Sequence, residues 1–328
     1  MCFAIVRCGR IGQKRAAAIS RLGHLMVLAV DHKKDRAVEI GGTFGFNARA
    51  ATDFKAAAEA ADVDAVVVAT PHWKLSEITT ACLYGGKHVL VEKPGGRNLA
   101  EVSAVKEAAD SAGRIVRIGY NHRFHPAVLK AREIVDRGEL GPLMFIRGRY
   151  GHRGRPGYEK EWRLQRSMSG GGHLIDQGSH LIDLARWFLG EFTDVHAALG
   201  TFFWNAEVED NAFLTLSTSE GRIASLHATW TEWKNLFSFE IYGRDGKLEI
   251  NGLGGSYGVE SLTFYRMLPG MGPPETTRWE FPFEDRSWDT EIAEFIAAIH
   301  EGRRPIGDAA EALGSMSVIE RAYRGAWG

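Results

Sequence analysis

The sequence has little of what several protein classes require. Three cysteines, Cys2, Cys8 and Cys82, are spread through 328 residues. They are too few and too scattered for a disulfide framework or a zinc site. No metal site is expected, and a reducing, cytoplasmic setting fits. No apolar run approaches the roughly 18 residues of a membrane span, so no membrane partner is expected. No secretory leader is expected either, because Met1-Cys2-Phe3-Ala4-Ile5-Val6 already reads as a strand. Excess charge of one sign is missing: 40 Lys and Arg face 41 Asp and Glu. A general nucleic-acid binder would be basic, so no nucleic-acid partner is expected. Internal repeats and low-complexity segments are absent as well.

What is present is ordinary globular material. Hydrophobic residues make up 45% of the chain, enough for a sizeable core. At roughly 100–200 residues per domain, the length predicts two domains. Up to Asn121, short apolar runs alternate with helical patterns. The runs Phe3–Val6, Met26–Val30, Ala65–Ala69, His88–Val91 and Ile115–Ile118 are rich in Val and Ile and too short for helices. Helical patterns such as Leu75–Tyr84 and Leu99–Ala112 separate them. This repetition predicts a doubly wound parallel sheet with helices on both faces.

The pattern changes after Asn121. Pro126–Arg137 reads as a helix, Leu143–Tyr150 as a strand, and residues 151–172 as a polar loop rich in Gly and Arg. An amphipathic helix is predicted over Leu174–Leu189, and alternating segments follow from Thr193 to Pro282. They predict a mostly antiparallel sheet. Trp288–Glu301 and Ala309–Tyr323 read as helices. The expected architecture is α/β: a Rossmann-type domain over residues 1–121, then an α+β domain over residues 122–328.

The segment Val6-Arg7-Cys8-Gly9-Arg10-Ile11-Gly12 follows the first strand and opens a helix, the place of a dinucleotide fold's phosphate turn. Gly9 and Gly12 hold the second and third glycine positions. Gly9 lets the backbone approach a pyrophosphate, Gly12 permits close helix–strand packing, and the helix start at Arg10-Ile11-Gly12 supplies amide donors. Arg7 occupies the first glycine position. A bulky residue there calls for a strained backbone, and its side chain either pairs with phosphates or blocks them. Asp31 ends the second strand, nineteen positions after Gly12. A carboxylate there accepts hydrogen bonds from ribose hydroxyls and repels a 2′-phosphate, which favours NAD over NADP. His32, Lys33 and Lys34 work against that preference.

Two further strands end in Ala69-Thr70-Pro71-His72 and Val91-Glu92-Lys93-Pro94. Both ends are expected at the carboxyl edge of the sheet, where open α/β folds bind ligands. Lys93 there can hydrogen-bond a substrate hydroxyl. Downstream, Gly170-Gly171-Gly172 leads into a helix carrying Asp176 and His180, four apart and so on one helical face. A carboxylate can support an imidazole there, and histidine is the natural proton acceptor near neutral pH. Three glycines before the helix suggest a close backbone approach.

The motifs Gly86-Lys87-His88-Val89-Leu90-Val91-Glu92-Lys93-Pro94 and Gly170-Gly171-Gly172-His173-Leu174-Ile175-Asp176-Gln177-Gly178-Ser179-His180-Leu181-Ile182-Asp183 carry a resemblance that spans essentially the whole chain. The sequence resembles the Gfo/Idh/MocA family of sugar and cyclitol oxidoreductases. The resemblance implies a Rossmann domain followed by a domain with a large open sheet, whose exposed face makes homodimers or homotetramers. It implies Lys93 on the reacting hydroxyl, His180 as general base and Asp176 completing the catalytic set. Thr70, Pro71 and Glu92 match positions that line the cofactor. Trp162 and Arg163 resemble a loop at its nicotinamide end. Asn121 and Arg123 fall in Tyr120-Asn121-His122-Arg123-Phe124, the segment that enters the active site in the family. Arg7 and Leu75 depart from the family pattern, which has glycine and often histidine there.

Arg147, Arg149, Arg153 and Arg155 cluster within nine residues. Arginine suits phosphate and carboxylate, so an anionic sugar is one expectation, with Arg149 as a contact. Pairing with Glu159 and Glu161 is the alternative. The expected activity is NAD-dependent oxidation of a secondary alcohol of a sugar or cyclitol. Two alternatives are a non-catalytic nucleotide-binding sensor and a glycosidase that uses NAD for transient oxidation.

Overall fold

The computed structural model describes residues 1–45 and 48–327. The chain divides into two compact units. The first comprises Met1–Asn121 and Trp288–Met316, the second His122–Ser287 and Ser317–Gly328. Among the described residues, no helix is long and apolar enough to cross a membrane.

The first unit runs β1 (Cys2–Val6), α1 (Arg10–Arg21), β2 (Leu25–Val30), α2 (Lys34–Phe44), β3 (Arg49–Ala51), α3 (Lys55–Glu59), β4 (Ala65–Val68), α4 (Leu75–Tyr84), β5 (His88–Glu92), α5 (Leu99–Ala112) and β6 (Val116–Gly119). Six parallel strands form one sheet in the order β3-β2-β1-β4-β5-β6. The strands are short and apolar because both faces are covered: every residue of β4 is buried. Strand order reverses between β1 and β4, which pair from Phe3↔Ala65 to Val6↔Val68. Their carboxyl ends therefore flank the switch point, the ligand-binding crevice of such sheets. Local chemistry sets the helix ends. The Asn98 side chain accepts the Glu101 amide to cap α5, and Gly113 closes that helix at φ 60°.

The sequence pattern assigns residues 288–316 to the second domain, and the structure differs. Trp288, Ile292, Phe295 and Ile296 pack into the core formed by Phe3, Ile5, Ile19 and Met26. An ion-paired cluster also holds this segment. Arg15 donates to Glu92 (2.9 and 2.7 Å) and to Glu291, and Arg117 pairs with Glu291 and Glu294.

The second unit contains α6 (Pro126–Asp136), β7 (Leu143–Gly151), α7 (Arg166–Ser169), α8 (Ser179–Leu189), β8 (Phe192–Gly200), β9 (Asn211–Thr218), β10 (Ile223–Thr229), β11 (Leu236–Gly243), β12 (Gly246–Asn251), β13 (Glu260–Arg266) and β14 (Glu275–Phe281). Two C-terminal helices follow, α9 (Ser287–Glu301) and α10 (Ala309–Trp327). Eight strands form one sheet in the order β14-β13-β12-β11-β7-β10-β9-β8, antiparallel except between β7 and β10. Alternation in β7 exposes Arg147 and Arg149 and buries Ile146, Gly148 and Tyr150. Helix α8 is buried on nearly every residue. Two departures from the sequence pattern bear on function. The loop over residues 151–172 is built from short helical turns and α7. The helix predicted over Leu174–Leu189 starts as a wider π turn, Leu174–Gly178, and narrows to α8 only at Ser179.

Candidate functional site

In the first unit, Arg7 leaves β1 at φ 83°, the strained backbone that a side chain at this position demands. Its amide donates to Val30 O at 2.7 Å. Gly9 caps α1 at φ −81°, and where a Cβ would point there is open space. Gly12 is the reverse case: a Cβ would overlap the Arg7 carbonyl oxygen. Arg10 and Ile11 form the first turn of α1, whose amides no side chain caps. Those donors, the open side of Gly9 and the tight packing of Gly12 fit a dinucleotide pyrophosphate.

Asp31 follows β2 directly. Its Oδ2 accepts the Cys8 amide at 2.8 Å and its Oδ1 the Lys33 amide at 2.9 Å. Burial disfavours its charge, but the Lys33 and Cys8 amides, with Arg7 and His32, outweigh burial and hold the carboxyl below its ordinary range. Thr70 and Pro71 follow β4 at the switch point. Thr70 Oγ1 is buried without a hydrogen-bond partner among the described residues, as expected of an atom that meets a ligand. Lys93 follows β5 and precedes Pro94. Asn121 is buried at the start of a short turn, Asn121–Phe124.

In the second unit, Asp176 and His180 are both buried. The π turn places Asp176 one wide turn before His180, so ordinary four-residue helical spacing does not describe them. The imidazole of His180 instead stacks on His122, with centroids 3.6 Å apart and planes 16° apart. Tyr150 lies tilted 5.2 Å from His122 and edge-on 6.3 Å from His180. Burial, then Tyr257 and Asp176, push the Tyr150 phenol well up, so it stays a proton donor. Arg163 Nε lies 3.4 Å from Asp176 Oδ2, and its guanidinium stacks 4.6 Å from the Trp162 ring. Trp162 and Arg163 thus join the Asp176 surroundings.

Glu209 explains the three glycines. Gly172 N–H donates to both of its carboxylate oxygens (3.0 and 3.1 Å), Leu174 N–H to Oε1 (3.0 Å), and Tyr323 Oη to Oε1 (2.8 Å). A Cβ on Gly171 would overlap Tyr323 Oη, and one on Gly172 the Glu209 carbonyl oxygen. Burial pushes the Glu209 carboxyl up, opposed by the Tyr323 hydroxyl and the amides of Leu174 and Gly172. The start of the helix carrying Asp176 and His180 is therefore pinned.

Two expected contacts have other partners, and a third lies on another face of its sheet. Glu92 accepts two hydrogen bonds from Arg15, a bond inside the first unit's core. Arg123 is 1% exposed and forks onto Asp183 at 2.8 and 2.7 Å, so it holds the fold rather than a substrate. Arg149 lines the open face of the large sheet with Arg147, His227 and Ser238. Tyr150, the next residue, points to the opposite face, where the histidines lie. Arg147 pairs with Glu240 and Arg155 with Glu161, which removes two more arginines from the anion argument. His122, Tyr150, Glu209 and Tyr323 were not singled out by sequence pattern. His122 at least lies within the segment Tyr120–Phe124.

Comparison with known proteins agrees with this layout. Residues 1–120 match the model of an oxidoreductase family with an NAD-binding Rossmann fold, and residues 128–249 match the GFO/IDH/MocA C-terminal domain. Levoglucosan dehydrogenase of Pseudarthrobacter phenanthrenivorans is 28% identical over 242 residues. That match covers 66% of this chain and 62% of that enzyme's length. Inositol 2-dehydrogenase of Rhizobium meliloti is 27% identical over 334 residues, covering 98% of this chain and 96% of that one. Among solved structures, levoglucosan dehydrogenase in complex with NADH superposes with a TM-score of 0.90 at 22% identity. It covers 99% of this chain and 98% of the other, a likeness of fold.

Proposed function

The chain belongs to the GFO/IDH/MocA family of oxidoreductases, with an NAD-binding Rossmann domain, and on that premise we propose a sugar or cyclitol dehydrogenase acting on a secondary alcohol. NAD, when bound, supplies the hydride acceptor. Gly9, Arg10, Ile11 and Gly12 hold its phosphates, and Thr70 and Pro71 line it. Lys93 donates a hydrogen bond to the reacting hydroxyl oxygen. An imidazole nitrogen of His180 takes the hydroxyl proton as the carbon loses hydride. Asp176, steadied by Arg163, completes the catalytic set one wide turn before His180. His122 packs one face of the His180 ring and shields it from water.

The observation that carries this reading is the burial of Asp176 and His180 on a helix start pinned by Glu209. Such preorganisation suits a group that must accept a proton in one orientation. With Arg147 and Arg155 paired to carboxylates, a neutral polyol or sugar is the favoured substrate class. The relatives' names put levoglucosan and inositols first in a screen. The test is NADH formation by the purified chain over a panel of sugars and cyclitols, with Lys93→Met and His180→Ala beside it. Turnover by the parent, and its loss in both variants with NADH binding retained, supports the assignment. Full turnover by His180→Ala removes His180 from it. NADH binding without turnover of any alcohol would leave a nucleotide-binding sensor.

A further inference from the structure

The turn after β1 carries a side chain that phosphate binding does not require. Arg7 is the one non-glycine residue at positive φ among those described. Its guanidinium Nη1 lies 2.6 Å from His32 Nδ1, and its Nε lies 3.9 Å from Asp31 Oδ2. The Asp31 carboxylate beneath is engaged by two backbone amides and by His32, whose Nδ1 lies 2.9 Å from its Oδ1, and its side chain has no exposed surface. Arg7 and His32 remain accessible, with about a third and over half of their side-chain surfaces exposed (32% and 58%). Lys33 and Lys34 follow and are exposed.

An acidic residue at the end of the second strand favours NAD in two ways. It accepts the ribose 2′-hydroxyl, and it repels a 2′-phosphate. Both depend on the carboxylate facing the ribose. Here it is spent on the backbone and on His32, and a guanidinium stands over it. What the turn presents outward is Arg7 and His32, a planar fork of donors and an imidazole, set beside two lysines. That is phosphate chemistry.

We propose that Arg7 and His32 form a subsite for the 2′-phosphate of NADP(H), so that the chain accepts the phosphorylated dinucleotide in addition to NAD. The proposal rests on the nicotinamide-dinucleotide reading above and adds which ribose substituent the site takes. Arg7 neutralises Asp31 and turns its remaining donors to the phosphate. His32 gives up the Arg7 hydrogen bond and donates to a phosphate oxygen.

The test is calorimetric titration of the full chain with adenosine 2′,5′-bisphosphate and adenosine 5′-monophosphate, which differ only by the 2′-phosphate, with NADH titrated in parallel. The expected result is bisphosphate binding tighter by about tenfold or more, the scale of one or two charge-assisted hydrogen bonds. Arg7→Gly, which suits the positive φ and so folds, should abolish the difference and leave NADH binding intact. His32→Ala should reduce it. Equal binding of the two nucleotides, with NADH still bound, overturns this proposal alone. A bisphosphate preference that survives both substitutions overturns the assignment to Arg7 and His32. Failure of the unaltered chain to bind any of these nucleotides overturns the dehydrogenase reading as well.

Discussion

The imidazole of His122 lies flat against that of His180, with ring centroids 3.6 Å apart. Contact at that distance fixes the plane of the His180 ring, and with it the direction of its nitrogen lone pair. An aromatic pair contributes about 0.5–1.5 kcal/mol beyond burial. His122→Ala should therefore lower kcat by about three- to tenfold and change KM little, because the loss falls on orientation in the transition state. His122→Phe, which keeps a ring in place, should recover most of that. Steady-state kinetics on whichever alcohol proves to be turned over checks it. An unchanged kcat in the alanine variant would detach the stack from the chemistry.

The glycines before the helix and the glycine of the phosphate turn should respond oppositely to a single methyl group. Gly172→Ala drives a Cβ into the Glu209 carbonyl oxygen, and backbone on either side must move. A loss of about 2–4 kcal/mol is expected, visible in thermal or urea unfolding. Gly9→Ala meets nothing within contact distance and sits at ordinary φ, so its stability should stay within about 0.5 kcal/mol. The same Cβ occupies the space a pyrophosphate needs, so NADH affinity should fall. Matching stability losses in the two variants would contradict this account.

Several of these features were legible in the sequence. β1, β4 and β5 are short apolar runs with Val or Ile, too short for helices, and strand–helix alternation left one sheet type for them. Gly9, Gly12 and Asp31 were readable because their spacing is set by one local unit. β3 was not, since Arg49-Ala50-Ala51 carries no strand preference. The return of α9 to the first unit was not, because an amphipathic stripe does not say which core it joins. The π turn keeps the same apolar residues inward as an α-helix, so periodicity could not separate them. His122 and Glu209 gain their roles from partners far along the chain, and no local pattern encodes that. Glu92 and Arg123 look like ligand-binding residues in isolation. Only the positions of Arg15 and Asp183 show that their charges are already met.

Asp31 predicts an acid-sensitive increment of stability. Burial works against its ionisation, but the Lys33 and Cys8 amides, Arg7 and His32 hold its pKa below the ordinary 3.8. A depressed carboxyl pKa stabilises the fold above the unfolded-state value, and the benefit is lost as pH falls through the folded-state value. Asp31→Asn, which can accept through only one oxygen, should be less stable than the parent by about 1–3 kcal/mol at neutral pH. The gap should close as pH drops below the ordinary carboxyl range. Urea unfolding across that range measures it, and a gap that does not vary with pH would show that the charge on Asp31 contributes nothing.

Arg15 offers the sharpest stability test because two carboxylates depend on it. It is fully buried, and Glu92 and Glu291 both accept from its guanidinium. Desolvation raises the Glu92 carboxyl, and Arg15 is the main influence lowering it again. Removing one member of a buried ionic cluster costs more than the cluster is worth, since the partners keep their charge without compensation. Arg15→Met should therefore lose about 3–5 kcal/mol at neutral pH. Glu92, already raised by burial, would then take up its proton in the folded state at higher pH than in the unfolded chain. Folding would bind protons, so the variant should gain stability relative to the parent as pH falls through the carboxyl range. Adding Glu92→Gln and Glu291→Gln to Arg15→Met removes the uncompensated charges and should restore part of the loss at neutral pH. If the triple variant unfolds no later than Arg15→Met alone, the stacking of the Arg15 guanidinium on the Trp288 ring, 4.4 Å from its carbon, accounts for the effect instead of the carboxylates.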